Sequence, residues 1–250
     1  MVTFYNILTI MKITLEGNIL KRLPKYYSLD KINTRKVKPN KEVHIMSVNI
    51  TKTIEELQKK LYTVKLFNTA TETADYLDSQ IDNKIVGFGD SRTMIDMKLY
   101  ERLSKHNKVH DPYQGKDNDE FLEIAKKTLT TEIFLTSVNA MSETGEMVNI
   151  DGTGNRVAGS LFGHDKVYFI VSTNKIEPTL EQAIYRARNV AGPKNSMKYD
   201  LPTPCVANGG DKCYDCKSPE RICNALVLYL RKMNDVEDVE IVLIDEEMGF

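Results

Sequence analysis

The sequence predicts an α/β fold, a mainly parallel sheet covered by helices on both faces. Three observations predict it. Apolar runs such as "KIVGFG" (84–89), "EIFLTSV" (132–138), "KVYFIVS" (166–172) and "VEIVLID" (239–245) read as strands buried in a sheet interior. Segments of helical period separate them, which is the order that builds a parallel sheet. The turns that leave several strands are rich in Gly, Ser, Thr and Asn.

In chain order, "TIEELQKKLY" opens the helical pattern, with Thr53 as cap and Glu56 three residues on. "TVKLFN" (63–68) is a short strand, and "TATETADYLDSQI" (69–81) is an amphipathic helix. After strand 84–89, "SRTMIDMKLYERLSKH" (91–106) places Met94, Ile95, Met97, Leu99, Tyr100 and Leu103 close to helical spacing. "EFLEIAKKTL" (120–129) is a helix, "EMVNID" (146–151) a strand, and "NRVAGSLF" (155–162) a short helix. "TLEQAIYRARNVA" (179–191) is a helix capped by Thr179. "PERICNALVLYLRKM" (219–233) has the spacing and leucine content of another, before the closing strand.

The chain has 250 residues, 41% hydrophobic and 28% charged, enough for one large domain with a tail. Its net charge of −1 creates no overall field for nucleic acid or a membrane surface. No apolar run approaches the roughly 20 residues that cross a bilayer, and no secretory cleavage pattern is evident. A cytoplasmic protein without nucleic-acid or membrane partners is the expectation. Residues 1–45 differ in character: nine Lys or Arg stand against Glu16, Asp30 and Glu42, without sustained periodicity. They are expected to be a basic, disordered extension upstream of a true start at Met46. A basic arm or organellar presequence is the alternative. The folded domain is expected over 46–250, with a cysteine-bearing segment at 203–224.

That segment holds every cysteine in the chain, spaced C-x7-C-x2-C-x6-C: Cys205, Cys213, Cys216 and Cys223. A C-x2-C pair brings two sulfurs to one ion from a tight turn, and the outer two complete a tetrahedral shell. Gly209 and Gly210 let the loop fold back. Ser218-Pro219 is expected to cap and open the helix at 219–233, placing Cys223 near its positive end, where a thiolate is favoured. Two disulfides are the competing reading, disfavoured in a reducing compartment, and four unrelated buried thiols are a further alternative. A bound metal is the stronger inference, and four sulfurs suit zinc and an iron–sulfur cluster alike.

Two turns offer groups for an anion. In "GFGDSRT" (87–93), Gly87 and Gly89 permit a close turn, and Ser91 and Thr93 add hydroxyls. In "NAMSETGEMVNIDGTGNRVAG" (139–159), Asp151, Gly152, Gly154 and Asn155 form a strand-to-helix turn, with Asn139 upstream and Arg156 supplying a planar cationic fork. Asn174 and Lys175 end another strand. Ligands of open α/β sheets collect at such carboxyl ends. Glu143 and Asp151 are candidate catalytic carboxylates, each equally readable as a solvated or turn-forming acid. There is neither a flavin or NAD fingerprint nor a P-loop. The four histidines show no metal spacing, and Arg188 reads as surface charge.

The ordered motifs "VGFGDSRT", "TSVNAMSETGEMVNIDGTGNRVAGSLFGHDKVYFIVSTNKI", "EQAIYRARNVAGPKNS" and "TPC…CYDC…ERICN" resemble the LUD-domain (lactate utilisation, formerly DUF162) family, in its short cysteine-bearing branch, over roughly Met46 to Phe250. The resemblance implies a three-layer Rossmann-type sandwich of the NagB/RpiA/CoA-transferase-like class. Gly87, Gly89, Ser91 and Thr93 match the family's Gly-Ser/Thr loop. Asp151, Gly152, Gly154, Asn155 and Arg156 match its "DGTGNR" turn. Asn174 and Lys175 match its strand end, and the four cysteines match its C-terminal cluster. Asp90 and Arg92 depart from the small or neutral residues usual there. Asn139 stands where the lactate-utilisation subunit typically has an acid, so a relative outside the lactate operon is expected. The function implied is metal or iron–sulfur binding linked to oxidation of a small 2-hydroxy acid, alongside other lactate-utilisation subunits. The alternative is a CoA-transferase-like or sugar-phosphate-isomerase-like enzyme, or a ligand-binding domain, with a structural zinc. Either way the expected ligand is a small anion: a hydroxy acid, a phosphate or a CoA ester.

Overall fold

The computed structural model describes residues 48–250; the expectations for the basic extension lie outside the described residues. The first strands and helices are α1 (Ile50–Lys59), β1 (Thr63–Phe67), α2 (Ala70–Gln80) and β2 (Ile85–Phe88). Next come α3 (Arg92–Asp96), α4 (Leu99–Leu103), β3 (Lys108–His110), α5 (Asn118–Thr128) and β4 (Ile133–Thr136). Then follow β5 (Ala140–Ser142), β6 (Met147–Asp151), α6 (Asn155–Leu161), β7 (Lys166–Ser172) and β8 (Ile176–Glu177). The chain continues through α7 (Leu180–Arg186), α8 (Gly192–Lys198), α9 (Pro204–Ala207), β9 (Ala225–Tyr229) and β10 (Asp238–Ile244).

Six strands form one sheet in the order β1-β10-β7-β4-β2-β3, and every pairing in it is parallel. The apolar runs explain its centre. Successive side chains of a strand point to opposite faces. On β7, Val167, Phe169 and Val171 enter one apolar cluster with Leu57 of α1, while Tyr168 and Ile170 enter another with Leu77 of α2 and Leu99 and Leu103 of α4. Two cores on two faces make the three-layer, Rossmann-like sandwich that the sequence predicts.

Caps set the helix boundaries. Asn49, not Thr53, caps α1: its Oδ1 accepts the Lys52 N–H at 3.0 Å. The helix expected over 91–106 is two short helices, because Lys98 adopts a left-handed conformation (φ 53°). That break lets Met94, Met97, Leu99 and Leu103 all reach one cluster. Thr179 caps α7 as expected, accepting from the Gln182 N–H at 3.2 Å. A π-helical turn, Ala187–Ala191, then carries the chain into α8. Pro193 lacks the N–H that a regular turn needs there.

The largest departure lies at 219–233, where no helix forms. Ala225–Tyr229 is instead strand β9, antiparallel to β6 with Ala225 opposite Asp151 and Tyr229 opposite Met147. It edges a second sheet, β8-β5-β6-β9. Tyr229 decides the outcome. Its buried hydroxyl pairs with Ser160 Oγ at 2.6 Å and accepts from Asn149 Nδ2 at 3.4 Å, contacts that a strand at this register provides. Leu226, Leu228 and Leu230 remain exposed, an alternation that helix propensity cannot override. Ser218 therefore serves a turn, accepting from the Glu220 N–H at 3.2 Å and donating to the Pro202 carbonyl at 3.1 Å.

Gly87 and Gly89 are explained by packing. A Cβ on Gly87 would lie 2.9 Å from the Thr128 carbonyl, and one on Gly89 would lie 2.7 Å from the ring of Phe134. A Cβ on Gly159 would meet the same fully buried ring at 2.7 Å. Gly89→Ala is expected to destabilise the protein by about 1–3 kcal/mol through overpacking. Urea denaturation checks this, and an unchanged midpoint would show that the ring moves freely.

Candidate functional site

A cavity of about 620 Å³ opens where β2, β4 and β7 end and the second sheet begins. Each strand end contributes: Asp90 and Ser91 follow β2, Ser137 and Asn139 follow β4, and Lys175 follows β7. Asp151 and Gly152 enter from the end of β6, and Asn155 and Arg156 from the start of α6. The position is where an open α/β sheet gathers its ligands, and the volume is that of an ordinary small-molecule site.

Lys175 is the most unusual group in it. Only 4% exposed, its Nζ donates to Thr93 Oγ1 and Ser137 Oγ, both at 3.1 Å. Among the described residues it forms no ion pair within 4.0 Å. Residues 246–250 fold back over it. Ser172 Oγ donates to the Glu246 carbonyl and accepts from the Met248 N–H at 3.1 Å, and a Cβ on Gly249 would fall 3.1 Å from Lys175 Nζ. Burial, and then the nearby positive charges of Arg186 and Arg156, lower its pKa to about 7.

Asp90 faces the same cavity. Its Oδ2 accepts from Asn155 Nδ2 at 3.3 Å, while its Oδ1 and the Asn155 Oδ1 are buried without a hydrogen-bond partner. Burial raises the Asp90 pKa to about 6, against the lowering pull of the Asn155 bond and Arg156. Two unpaired acceptors at one place suit a ligand that brings a donor.

Asp151 and Arg156 brace the turn between β6 and α6. Arg156 Nε donates to Asp151 Oδ2 at 3.0 Å, and its NH2 group reaches the Ile150 carbonyl at 2.6 Å and Asn139 Oδ1 at 3.3 Å. The Gly154 N–H donates to Asp151 Oδ1 at 2.5 Å, with Gly154 in the left-handed region (φ 93°) that favours glycine. Both Asp151 oxygens are thus engaged in the turn. Glu143, the other candidate acid, lies outside the cavity wall. Its Oε1 accepts from Lys52 Nζ at 2.7 Å and its Oε2 from the Asn49 N–H at 3.0 Å, tying α1 to the second sheet. The Lys52 hydrogen bond is the main cause of its lowered pKa.

Gly87, Gly89, Gly154 and Asn174 support the turns without lining the cavity, although Asn174 Oδ1 is buried and unpaired. Sequence reasoning passed over Ser137, which directly follows an apolar strand, and the rim formed by Tyr113, Lys198 and Tyr199. There the Tyr113 and Tyr199 hydroxyls are 3.1 Å apart, and Lys198 Nζ lies 4.9 Å from each ring centre.

The cysteines sit beside this cavity. All four are free thiols, so the structure contains neither of the alternative disulfides. All four line one small pocket of about 20 Å³. Cys213 Sγ accepts from the Asp215 N–H at 3.4 Å and lies 4.0 Å from the Arg188 guanidinium, which also pairs with Asp215 at 3.3 Å. Arg188 is therefore part of this loop's scaffold, as is Asn189, whose Oδ1 accepts the Cys213 N–H at 3.1 Å. Arg221 donates to the carbonyls of Cys216 at 2.7 Å and Cys223 at 2.9 Å. Cys223 lies in an extended connection, not in the first turn of a helix, and burial followed by Cys213 pushes its pKa up to about 11.

Among the described residues no three His, Cys, Asp or Glu side chains converge at metal-holding distance. The donor types are suited to holding an ion, with soft sulfurs around one pocket and a backbone N–H aimed at sulfur, and the guanidiniums of Arg188 and Arg221 pair with Asp215 beside them. Ile222 and Cys223 line both this pocket and the large cavity, so the two share a wall. Gly152 allows that wall its close approach, since a Cβ there would meet the Ile222 carbonyl at 2.7 Å.

A family model described as the LUD domain matches residues 50–244. No curated protein matches the chain. Among solved structures, a DUF162 family protein from Deinococcus radiodurans is similar at TM-score 0.42 and 10% identity, over 78% of this chain and 95% of that one. Ribose 5-phosphate isomerase A from Neisseria gonorrhoeae is similar at TM-score 0.30 and 14% identity, over 44% of this chain and 54% of that one. For eIF2B delta from Chaetomium thermophilum the TM-score is 0.30 and the identity 17%, over 54% of this chain and 55% of that one. Likeness at these levels says nothing of activity. No helix among the described residues is long and apolar enough to cross a membrane.

Proposed function

Because this chain belongs to the LUD-domain family, we propose that it is a relative of the lactate-utilisation subunits, binding a small 2-hydroxy or 2-keto acid beside a four-cysteine centre. The observation that carries this reading is the shared wall: Cys223 lines both the sulfur pocket and the cavity that holds Lys175. Arg156 and Lys198 give that cavity positive charge for a carboxylate, and the unpaired Asp90 Oδ1 can accept a hydrogen bond from a hydroxyl. Cys205, Cys213, Cys216 and Cys223 would hold the inorganic group. As an iron–sulfur cluster it would supply electron transfer at the cavity wall, and as zinc it would supply rigidity. The electron path would then continue in a partner subunit.

The volume of about 620 Å³ favours a second reading, because a three-carbon acid fills little of it. A sugar phosphate or CoA ester would fill more, with the cysteines holding a structural zinc. Thermal denaturation with lactate, pyruvate, ribose 5-phosphate and acetyl-CoA separates the two. A ligand at a hundred times its dissociation constant adds about 2.7 kcal/mol, a readily measured rise in melting temperature. Stabilisation by lactate or pyruvate is expected. Stabilisation by the phosphate or CoA ligand alone would transfer the assignment to the second reading, and none by any of them would contradict both.

A further inference from the structure

We propose that Lys175 is a catalytic amine that condenses with the ketone carbonyl of a 2-keto acid to form an imine. The proposal rests on the reading that the cavity takes a small carboxylic acid, and adds a covalent activity to it. Four features of the site support it. Lys175 is buried at the end of β7 yet lines the cavity, so it is shielded from bulk water while bordering the ligand space. It lacks a carboxylate partner within ion-pairing distance among the described residues, and the charges that act on it most, Arg186 and Arg156, are both positive, with Asp96 the weaker opposing influence. Two hydroxyls, Thr93 Oγ1 and Ser137 Oγ, hold Nζ at 3.1 Å from separate elements and fix its direction. Such surroundings favour the neutral amine over the ammonium, in line with its pKa near 7, and a neutral amine is the nucleophile that carbonyl chemistry requires.

The step needs no oxidant or reductant. The nitrogen lone pair forms a bond to the ketone carbon, and the carbonyl electron pair moves to oxygen. The two protons of the amine end on that oxygen, which leaves as water when the C=N bond forms. Amine plus ketone gives imine plus water. Arg156 and Lys198, on other walls of the cavity, supply positive charge for the acid's carboxylate.

Borohydride trapping of the full-length chain with pyruvate at neutral pH tests the proposal. The expected result is a single reduced adduct, seen in the intact mass and mapped to the Lys175 peptide. In Lys175→Arg and Lys175→Met, adduct formation should fall to the level of the surface lysines. The peptide map of the unaltered protein decides the matter even if a variant folds poorly. Pyruvate-induced thermal stabilisation without an adduct at Lys175 would overturn the imine and leave acid binding standing. Neither stabilisation nor adduct would overturn both, and adducts scattered equally over other lysines would also refute the assignment.

Discussion

Replacing Lys175 by Met is expected to make the protein more stable, by about 2 kcal/mol at pH 7 after allowing for the two hydroxyls left unpaired. Lys175 in the folded chain holds its proton only up to about pH 7, whereas an ordinary lysine holds it to 10.5. Between those values the unfolded chain binds the proton that the folded chain releases, so stability rises with pH. Below pH 7 both states carry the charge, and the full cost of burying it is felt. The native protein should therefore gain stability between pH 7 and pH 10, and the Met variant should lack that component of the slope. Urea denaturation at both pH values of the native and Met chains measures it. A variant less stable at pH 7, with an unchanged slope, would mean that the lysine is charged and well paired in the folded state.

The second large effect is expected at the cysteines. Exchanging Cys213 and Cys216 together for Ser removes half of the sulfur donors around the small pocket. If an ion ties residues 205–223 together, the double variant loses it along with several kcal/mol of stability. Cys223 and Ile222 sit in the cavity wall, and the Ile222 carbonyl packs against Gly152, so acid binding should weaken as well. Metal analysis and melting curves read both consequences. A double variant with native metal content and melting temperature would mean that these sulfurs bind nothing.

The central strands were legible because their composition matches burial on both faces. "KVYFIVS" leaves no register in which one face could be solvent. β9 was not legible. "ALVLY" has the residues of a helix, and what makes it a strand is Tyr229 meeting Ser160 and Asn149, partners far away in the chain. The motif around Gly87 and Gly89 suggests an anion turn, yet their neighbours are Thr128 and Phe134, tight packing that a local motif does not reveal. The position of Lys175 at a strand end was visible, but its isolation from carboxylates needed three strand ends brought together. Cysteine spacing located the sulfur pocket. It could not show that Cys223 also faces the cavity, because that depends on the strand that replaced the expected helix.

Protein purified without oxygen, assayed together for iron, zinc, acid-labile sulfide and reactive thiols, gives the decisive observation. A stoichiometric metal or cluster is expected, with Cys205, Cys213, Cys216 and Cys223 shielded from thiol reagents until the metal is removed. Metal-free protein whose thiols all react at once would contradict a four-cysteine centre beside the cavity.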